Sequence, residues 1–464
     1  MEITVVTVTL TRAPASLGGQ AQFEAADHNG NESTSPCNTR SSNASIASAL
    51  ALILLLPLAA LGQVRGSAKL SVVTVANNTV LWNSTHQTID GFGGGLGFDT
   101  STAFTSTQAD LIFTTLGMSV LRNMLTPDNE YANVASMQLA QARGAKVWTV
   151  SATPPAAWKG NGSLIQGSLL QSHYADFANY IVTYIQTLSS TYGINLYAFS
   201  IQNEPDFVGA NYESALWTDQ QLHDFLVNNL GPAFSAAGLT TKIIVPETGQ
   251  WNNLHSWADK IIADPSADAY VSIYAAHDYD SAFDPQPNVP ANKHLWETEI
   301  SALAAGDTSI NGGLIYAQNA HNLLTGASVN AWHIFLVSYG SDCSLDPFIC
   351  NGTATKAAYT IANFSKFVHP GWVRLDAVTN FAGVFISAYK EASSGKFAIV
   401  AINANGSATP ISLSFNGFTS STVIPNITDA TLDLAAQSGV AAGGGFSYTL
   451  PATSVVTFTG TDGT

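Results

Sequence analysis

Charge and sulfur are scarce in this chain. Only 10% of its 464 residues are charged, with 16 Lys+Arg against 32 Asp+Glu and a net charge of −16. A surface so short of cations repels a phosphate backbone, which excludes nucleic acid as a partner. There are 3 cysteines and no C-x-x-C, and the 10 histidines are scattered without an H-E-x-x-H, so no catalytic metal and no cofactor is expected. No G-x-S-x-G elbow is present for serine nucleophile chemistry. Gly91-Phe-Gly-Gly-Gly95 is not a G-x-G-x-x-G opening a helix, which argues against a dinucleotide turn. A hydrophobic content of 46% supports a sizeable core and excludes a disordered chain.

One long apolar run is present, Ile46 to Leu61, uncharged and followed by Gly62. Its length suits the core of a secretory signal and is short for a membrane span. Cleavage is expected near residues 62–68, giving a secreted protein with no stable membrane insertion. The segment 1–45 before it is longer than an ordinary n-region, so a mis-assigned start and a membrane-anchored form are the alternatives. Cleavage would remove Cys37 and leave Cys343 and Cys350, an even pair expected to close a short disulfide loop in an exported protein. Downstream of the apolar run, sequons begin at Asn77, Asn83, Asn161, Asn351, Asn363, Asn405 and Asn426.

The chain is too long for one average domain. Strand-like segments at 88–94, 118–125, 145–153, 196–204, 242–248, 270–278, 293–299 and 330–337 are mostly separated by helix-like ones, such as 106–116, 133–143, 173–191, 219–236, 312–325 and 355–367. The first of these opens with the capping-box pattern Thr105-Ser-Thr-Gln108. The connection 279–292 is proline-rich and shows no helix pattern. Eight such strands predict an α/β fold, a (β/α)8 TIM barrel, with a doubly wound sheet as the rival. After about residue 370, short strands with Gly/Asn/Pro turns predict a side β-sandwich. The expected organisation is 1–66 as extension and signal, 67–86 as strands joining the side domain, 87–370 as barrel and 371–464 as side domain.

In such barrels the chemistry sits at the C-terminal ends of strands. The fourth strand ends in Asn203-Glu204-Pro205 and the seventh in Trp296-Glu-Thr-Glu299. Two carboxylates facing each other across a barrel mouth suit work on a glycosidic bond. Glu204 is the candidate acid/base, and the Asn203 amide can hold a sugar hydroxyl. Alternation puts Glu297 and Glu299 on one face, and Glu299, nearer the mouth, is the candidate nucleophile. Glu247, ending the fifth strand, is a weaker rival. Arg122 is a candidate to orient the nucleophile and favour its ionised form. His277 and Tyr279 are candidates to donate hydrogen bonds to sugar or nucleophile, and Trp158 and Trp332 to stack on sugar rings.

The segments Ile89-Asp-Gly-Phe-Gly-Gly94, Ser119-Val-Leu-Arg122, Ser151-Ala-Thr-Pro-Pro155, Ser200-Ile-Gln-Asn-Glu-Pro-Asp206, Trp296-Glu-Thr-Glu299 and Phe364–Arg374 resemble, in order and spacing, glycoside hydrolase family thirty of the clan A retaining barrels. The resemblance covers about residues 69–460. It implies Glu204 as acid/base, Glu299 as nucleophile and a side β-sandwich packed on the barrel. The nearest likeness is to the xylanase branch, many of whose members require a glucuronic acid branch read partly by an arginine after the eighth strand. Here the stretch Trp332–Gly340 has no arginine, and an anionic branch normally meets a guanidinium. The expectation is a monomeric endo-xylanase acting on xylan-type polysaccharide without strict need for the acidic branch. A strict glucuronoxylanase is one alternative. β-1,6-Glucan, β-1,6-galactan and a glucosyl lipid are alternative substrates, and a glycan-binding protein with a decayed site is the alternative of another class.

Overall fold

The computed structural model describes residues 4–9, 69–74 and 78–464, apart from Asp99, Pro287, 339–342 and 346–347. The chain divides into two units, Met1–Asn77 and Asn78–Thr464. In the first, strands Thr4–Thr9 and Lys69–Thr74 pair antiparallel. The stretch 67–86, expected to supply strands of the side domain, thus divides: Lys69–Thr74 pairs with Thr4–Thr9, and the part from Thr79 joins the side sheet. The side-domain strand begins at Thr79, directly after Asn78, which takes a left-handed backbone (φ 64°). The apolar run 46–61 and its cleavage region lie outside the described residues. No helix among the described residues is long and apolar enough to cross a membrane.

The second unit contains a closed barrel of eight parallel strands. They are β1 (Gly91–Gly95), β2 (Val120–Leu125), β3 (Lys146–Ser151), β4 (Ala198–Ser200), β5 (Lys242–Thr248), β6 (Val271–Ala276), β7 (His294–Glu297) and β8 (Ala331–Leu336). The TIM-barrel expectation holds, with each strand inside its expected segment or within a residue of it. β1 is almost all glycine because its neighbours crowd it. A Cβ on Gly93 would lie 1.9 Å from the Val120 carbonyl oxygen, and one on Gly95 2.1 Å from that of Phe335.

Period-two alternation sorts the side chains into two layers. Val120, Met124, Trp148, Val150, Ala198, Ile244, Ile273, Trp296 and Ala331 fill the barrel interior. Leu121, Leu125, Val147, Phe199, Val245, Trp332 and Ile334 face the surrounding helices. Trp148 and Trp296 meet edge to face at 6.0 Å, and Tyr197 stacks on Trp296 at 6.0 Å. These rings pack the lower barrel solid, so ligands reach only its upper end.

The helix after β1 starts at the expected cap. Thr105 accepts from the Gln108 N–H, and Gln108 Oε1 accepts from the Thr105 N–H at 2.9 Å. Helix Trp251–Ile262, after β5, was not singled out from the sequence. The described residues between β6 and β7 form no helix, as the prolines there led one to expect.

Most of the remaining strands form one ten-stranded sheet that curls over its own core. Thr79–Thr88 joins it between Val373–Val378 and Thr409–Asn416. Strand Lys396–Asn403 is buried on both faces: Ile399 and Ala401 point into the sheet's own core, and Ala398, Val400 and Ile402 into the barrel's. That double burial explains its continuous apolar run. Helix Lys356–Ser365 docks here, with Asn363 Nδ2 donating to Thr428 Oγ1 (2.7 Å) and Thr457 Oγ1 to the Asn363 carbonyl (2.6 Å). Asn363 is fully buried, so its sequon is closed to modification in the folded chain.

Candidate active site

The C-terminal ends of the strands surround a cleft of about 840 Å³. Glu204 follows β4, Glu247 ends β5, His277 and Tyr279 follow β6, and Glu299 follows β7. Glu204 and Glu247 hold left-handed backbones, φ 45° and 61°. Such strain costs ~1–3 kcal/mol per residue. One bond that maintains it joins the Glu204 N–H to the Glu247 carbonyl at 3.1 Å.

Arg122 is the hub of the site. It is fully buried, with Nη1 2.6 Å from Glu299 Oε2 and Nη2 2.9 Å from Glu247 Oε1. Nη2 also donates to Asn203 Oδ1 at 2.5 Å, which leaves the Asn203 amide nitrogen to meet a ligand. Burial disfavours the guanidinium charge, but Glu299 and Glu247 outweigh it and hold the cation more firmly than usual.

His277 is buried among three carboxylates. Its Nδ1 lies 3.1 Å from Glu204 Oε1, and its Nε2 lies 3.5 Å from Glu247 Oε1 and 3.7 Å from Glu299 Oε2. Burial alone would lower its pKa, but the charge of Glu299 and the bonds to Glu204 and Glu247 raise it to about 10. The imidazole is therefore a cation at neutral pH. For Glu204, burial pushes the carboxyl up, and the bond and charge of His277, the Tyr212 hydroxyl and the Arg122 charge outweigh it, so the net shift is downward. The Tyr212 hydroxyl donates to Glu204 Oε2. Burial first, then the Glu204 charge, raises that phenol's pKa, so it keeps its proton. Glu299 Oε1 accepts from Tyr279 at 2.7 Å.

An oxygen of Glu204, an oxygen of Glu299 and a nitrogen of His277 all lie within 4.8 Å of one another. These atoms are close enough to ligate an ion. The chemistry of the set does not fit one: both imidazole nitrogens of a cationic His277 face carboxylates, and Arg122 already neutralises Glu299.

Several sequence-level expectations need correction. Trp332 does not reach the cleft. It is fully buried, donates from Nε1 to Asn319 Oδ1 at 2.8 Å and stacks on Phe348. It shares the outward parity of Ile334, whereas Phe335 lines the cleft. Trp158 is half-buried and outside the cleft lining, because the turn Ala156–Trp158 lays its ring on His173 and against Tyr180. Arg122 and His277 have no exposed surface, so they bind the carboxylates rather than a sugar. The alternation argument from Glu297 to Glu299 also fails in its reason. β7 ends at Glu297, and the chain leaves the ladder before Glu299 reaches the mouth. Glu297 is fully buried and accepts from the His333 N–H at 2.7 Å. Burial pushes its carboxyl well up, only partly offset by that bond, and so favours the neutral form.

Asn203, Glu204, Tyr279 and Glu299 all line the cleft. So do residues that the sequence reading missed, among them Phe98, Asp206, Phe207, Tyr212, Asn253 and Leu345. Tyr212 carried one usable signal, its place in the loop directly after Glu204. Phe98 and Leu345 carried none, because their elements are distant in sequence.

A barrel of eight parallel strands with carboxylates after the fourth and seventh, this close together, is the architecture of a retaining glycoside hydrolase. Comparison with known proteins specifies the family. The glycosyl hydrolase family 30 TIM-barrel domain matches residues 127–305. Glucuronoxylanase XynC of Bacillus subtilis (strain 168) is 30% identical over 428 residues, covering 88% of this chain and 97% of that one. The family 30 subfamily 8 xylanase Xyn30A of Clostridium acetobutylicum superposes with a TM-score of 0.75 at 30% identity, covering 83% of this chain and 99% of that one. A family 30 endoxylanase of Clostridium papyrosolvens C71 gives a TM-score of 0.72 at 27% identity, covering 83% and 100%. The chain belongs to glycosyl hydrolase family 30.

Proposed function

We propose that this enzyme is a secreted, retaining endo-β-1,4-xylanase that does not require a glucuronic acid branch. The observation that carries the reaction type is the approach of Glu204 and Glu299, whose oxygens lie within 4.8 Å. Retaining enzymes hold their carboxyl groups roughly 5–5.5 Å apart, and inverting ones leave room for water at roughly 6.5–9.5 Å. Glu299, oriented by Arg122 and Tyr279, attacks the anomeric carbon. Glu204 protonates the departing sugar oxygen and later takes a proton from the water that releases the glycosyl-enzyme. Substrate entry expels water, and that desolvation favours the neutral Glu204 carboxyl the first step needs.

Xylan as substrate rests on the similarity to proteins named as xylanases. Independence from the acidic branch rests on charge. No residue lining the cleft, among the described residues, is Lys or Arg, while Glu204, Asp206 and Glu299 are acidic. The loop after β8 also has no basic residue between Val337 and Thr355. A uronate would find no cationic partner there. Secretion is supported by the apolar run 46–61 and by the Cys343–Cys350 disulfide, and is tested by sequencing the N-terminus of protein recovered from medium.

The test is hydrolysis of glucuronoxylan and unbranched xylan side by side, with Glu204→Ala and Glu299→Ala as controls. Similar cleavage of both polymers is expected, with each variant losing at least about 10²-fold in kcat. Azide should restore Glu204→Ala with a retained glycosyl azide and Glu299→Ala with an inverted one. Cleavage of glucuronoxylan alone, at a fixed distance from each branch, would overturn branch independence. Turnover only of a β-1,6-glucan or a glucosyl lipid would overturn xylan.

A further inference from the structure

Lys159 is buried with 3% of its surface exposed and has no carboxylate partner among the described residues. Its ammonium spends all three donors on neutral oxygens: Ser214 carbonyl at 2.6 Å, Thr153 Oγ1 at 2.8 Å and Leu164 carbonyl at 3.0 Å. A buried charge without a counter-ion is costly and is retained where several acceptors converge on it. Two of these acceptors, Thr153 and Leu164, belong to the loop after β3, and the third, Ser214, to the loop after β4. The same seam is stitched by Thr153 Oγ1 to the Ser214 carbonyl (3.1 Å), the Ser214 N–H to the Leu164 carbonyl (3.0 Å) and the Gln166 N–H to Ser214 Oγ (3.0 Å). Ser214 Oγ in turn donates to the Tyr212 carbonyl at 2.8 Å. Tyr212 is the residue whose hydroxyl meets Glu204.

We infer that Lys159 is a positioning residue: its ammonium clamps the β3 and β4 loops together and so fixes the Tyr212 hydroxyl on Glu204. It touches neither substrate nor reacting atoms, and acts through Ser214 and Tyr212. The inference rests on the reading of Glu204 as acid/base. The groups facing that carboxylate are His277, Arg122 and Tyr212, with Glu299 across the cleft. No titratable side chain bonds Lys159, and Glu213 is the charged residue next to its acceptor Ser214.

The Tyr212 bond stabilises the ionised form of Glu204. Losing it should let Glu204 keep its proton to higher pH and move the alkaline limb of kcat/KM upward. The test compares that limb in Tyr212→Phe, Lys159→Met, Ser214→Ala and the Lys159→Met/Tyr212→Phe double variant, on the substrate the native enzyme cleaves best. Ser214→Ala keeps the ammonium and serves if Lys159→Met fails to fold. The expected result is an upward limb in all four, about tenfold lower kcat/KM at the native optimum for Lys159→Met, and no further shift in the double variant than in Tyr212→Phe. A limb that moves in Tyr212→Phe but in neither Lys159→Met nor Ser214→Ala overturns the clamp. Shifts that add in the double variant overturn it as well. A limb unmoved by Tyr212→Phe instead rejects Glu204 as the acid/base.

Discussion

Asp278 shows how finely single residues are set around this site. It lies between His277 and Tyr279, is fully buried, and accepts from Asn319 Nδ2 at 2.7 Å. Burial raises its pKa to about 7, only partly offset by that bond. The folded chain thus binds this proton more tightly than the unfolded chain, whose Asp titrates near ~3.9. The stability it contributes is full below about pH 4 and is lost as pH rises toward about 7. Asp278→Asn keeps the acceptor for Asn319 and removes the ionisation. Its melting temperature is expected about 3–6 °C above the native enzyme at pH 7.5 and unchanged at pH 4, as read by calorimetry. An equal shift at both pH values would show that the ionisation has no part in it. His277 works with the same sign over a higher pH window. Its pKa of about 10 gives stability that is complete below its unfolded value and is lost only as pH climbs through about 10.

Elements decide which side chains meet the substrate. The loops after β4 and β8 leave Phe207 and Leu345 on the cleft lining with 46% and 44% of their surface exposed. Exposed apolar groups beside a catalytic cleft offer a face on which sugar rings pack. Phe207→Ala is expected to raise KM for the polymer about tenfold, with kcat changed less than about twofold, since burying a Phe is worth ~1.5–3 kcal/mol. A fall in kcat at constant KM in initial-rate kinetics would assign Phe207 to the chemistry instead. The pair proposed for catalysis was legible in the sequence because strand ends announce themselves, as in Asn203-Glu204-Pro205. Loop-borne Phe207 and Tyr212 were not, because loops carry no periodicity to place a side chain. Trp332 was misread for a related reason. Composition marked it as a stacking ring, and only the parity of β8 shows that it faces the helices.

The whole molecule couples its two β systems through shared apolar surface. Ala398, Val400, Ile402 and Val455 of the side sheet belong to the same buried cluster as the barrel's helices. The second unit is therefore expected to melt in one calorimetric transition. Val400→Ala should lower that transition's stability by about 1–3 kcal/mol without splitting it. Two separated transitions in the native enzyme would show that the side domain folds on its own.

The sequence by itself determined the barrel, the side β domain and the two carboxylates proposed for catalysis. Each is written in local pattern: alternation, helix spacing, and an abrupt strand end bearing Glu. Tertiary structure alone decided what surrounds those carboxylates. Arg122 and Glu247 are 125 positions apart in sequence, and His277 and Glu204 are 73 apart, yet each pair meets at the barrel mouth. No local pattern encodes such a meeting. It follows from closure of the sheet, which brings the ends of distant strands to one mouth and lets burial and charge set their protonation.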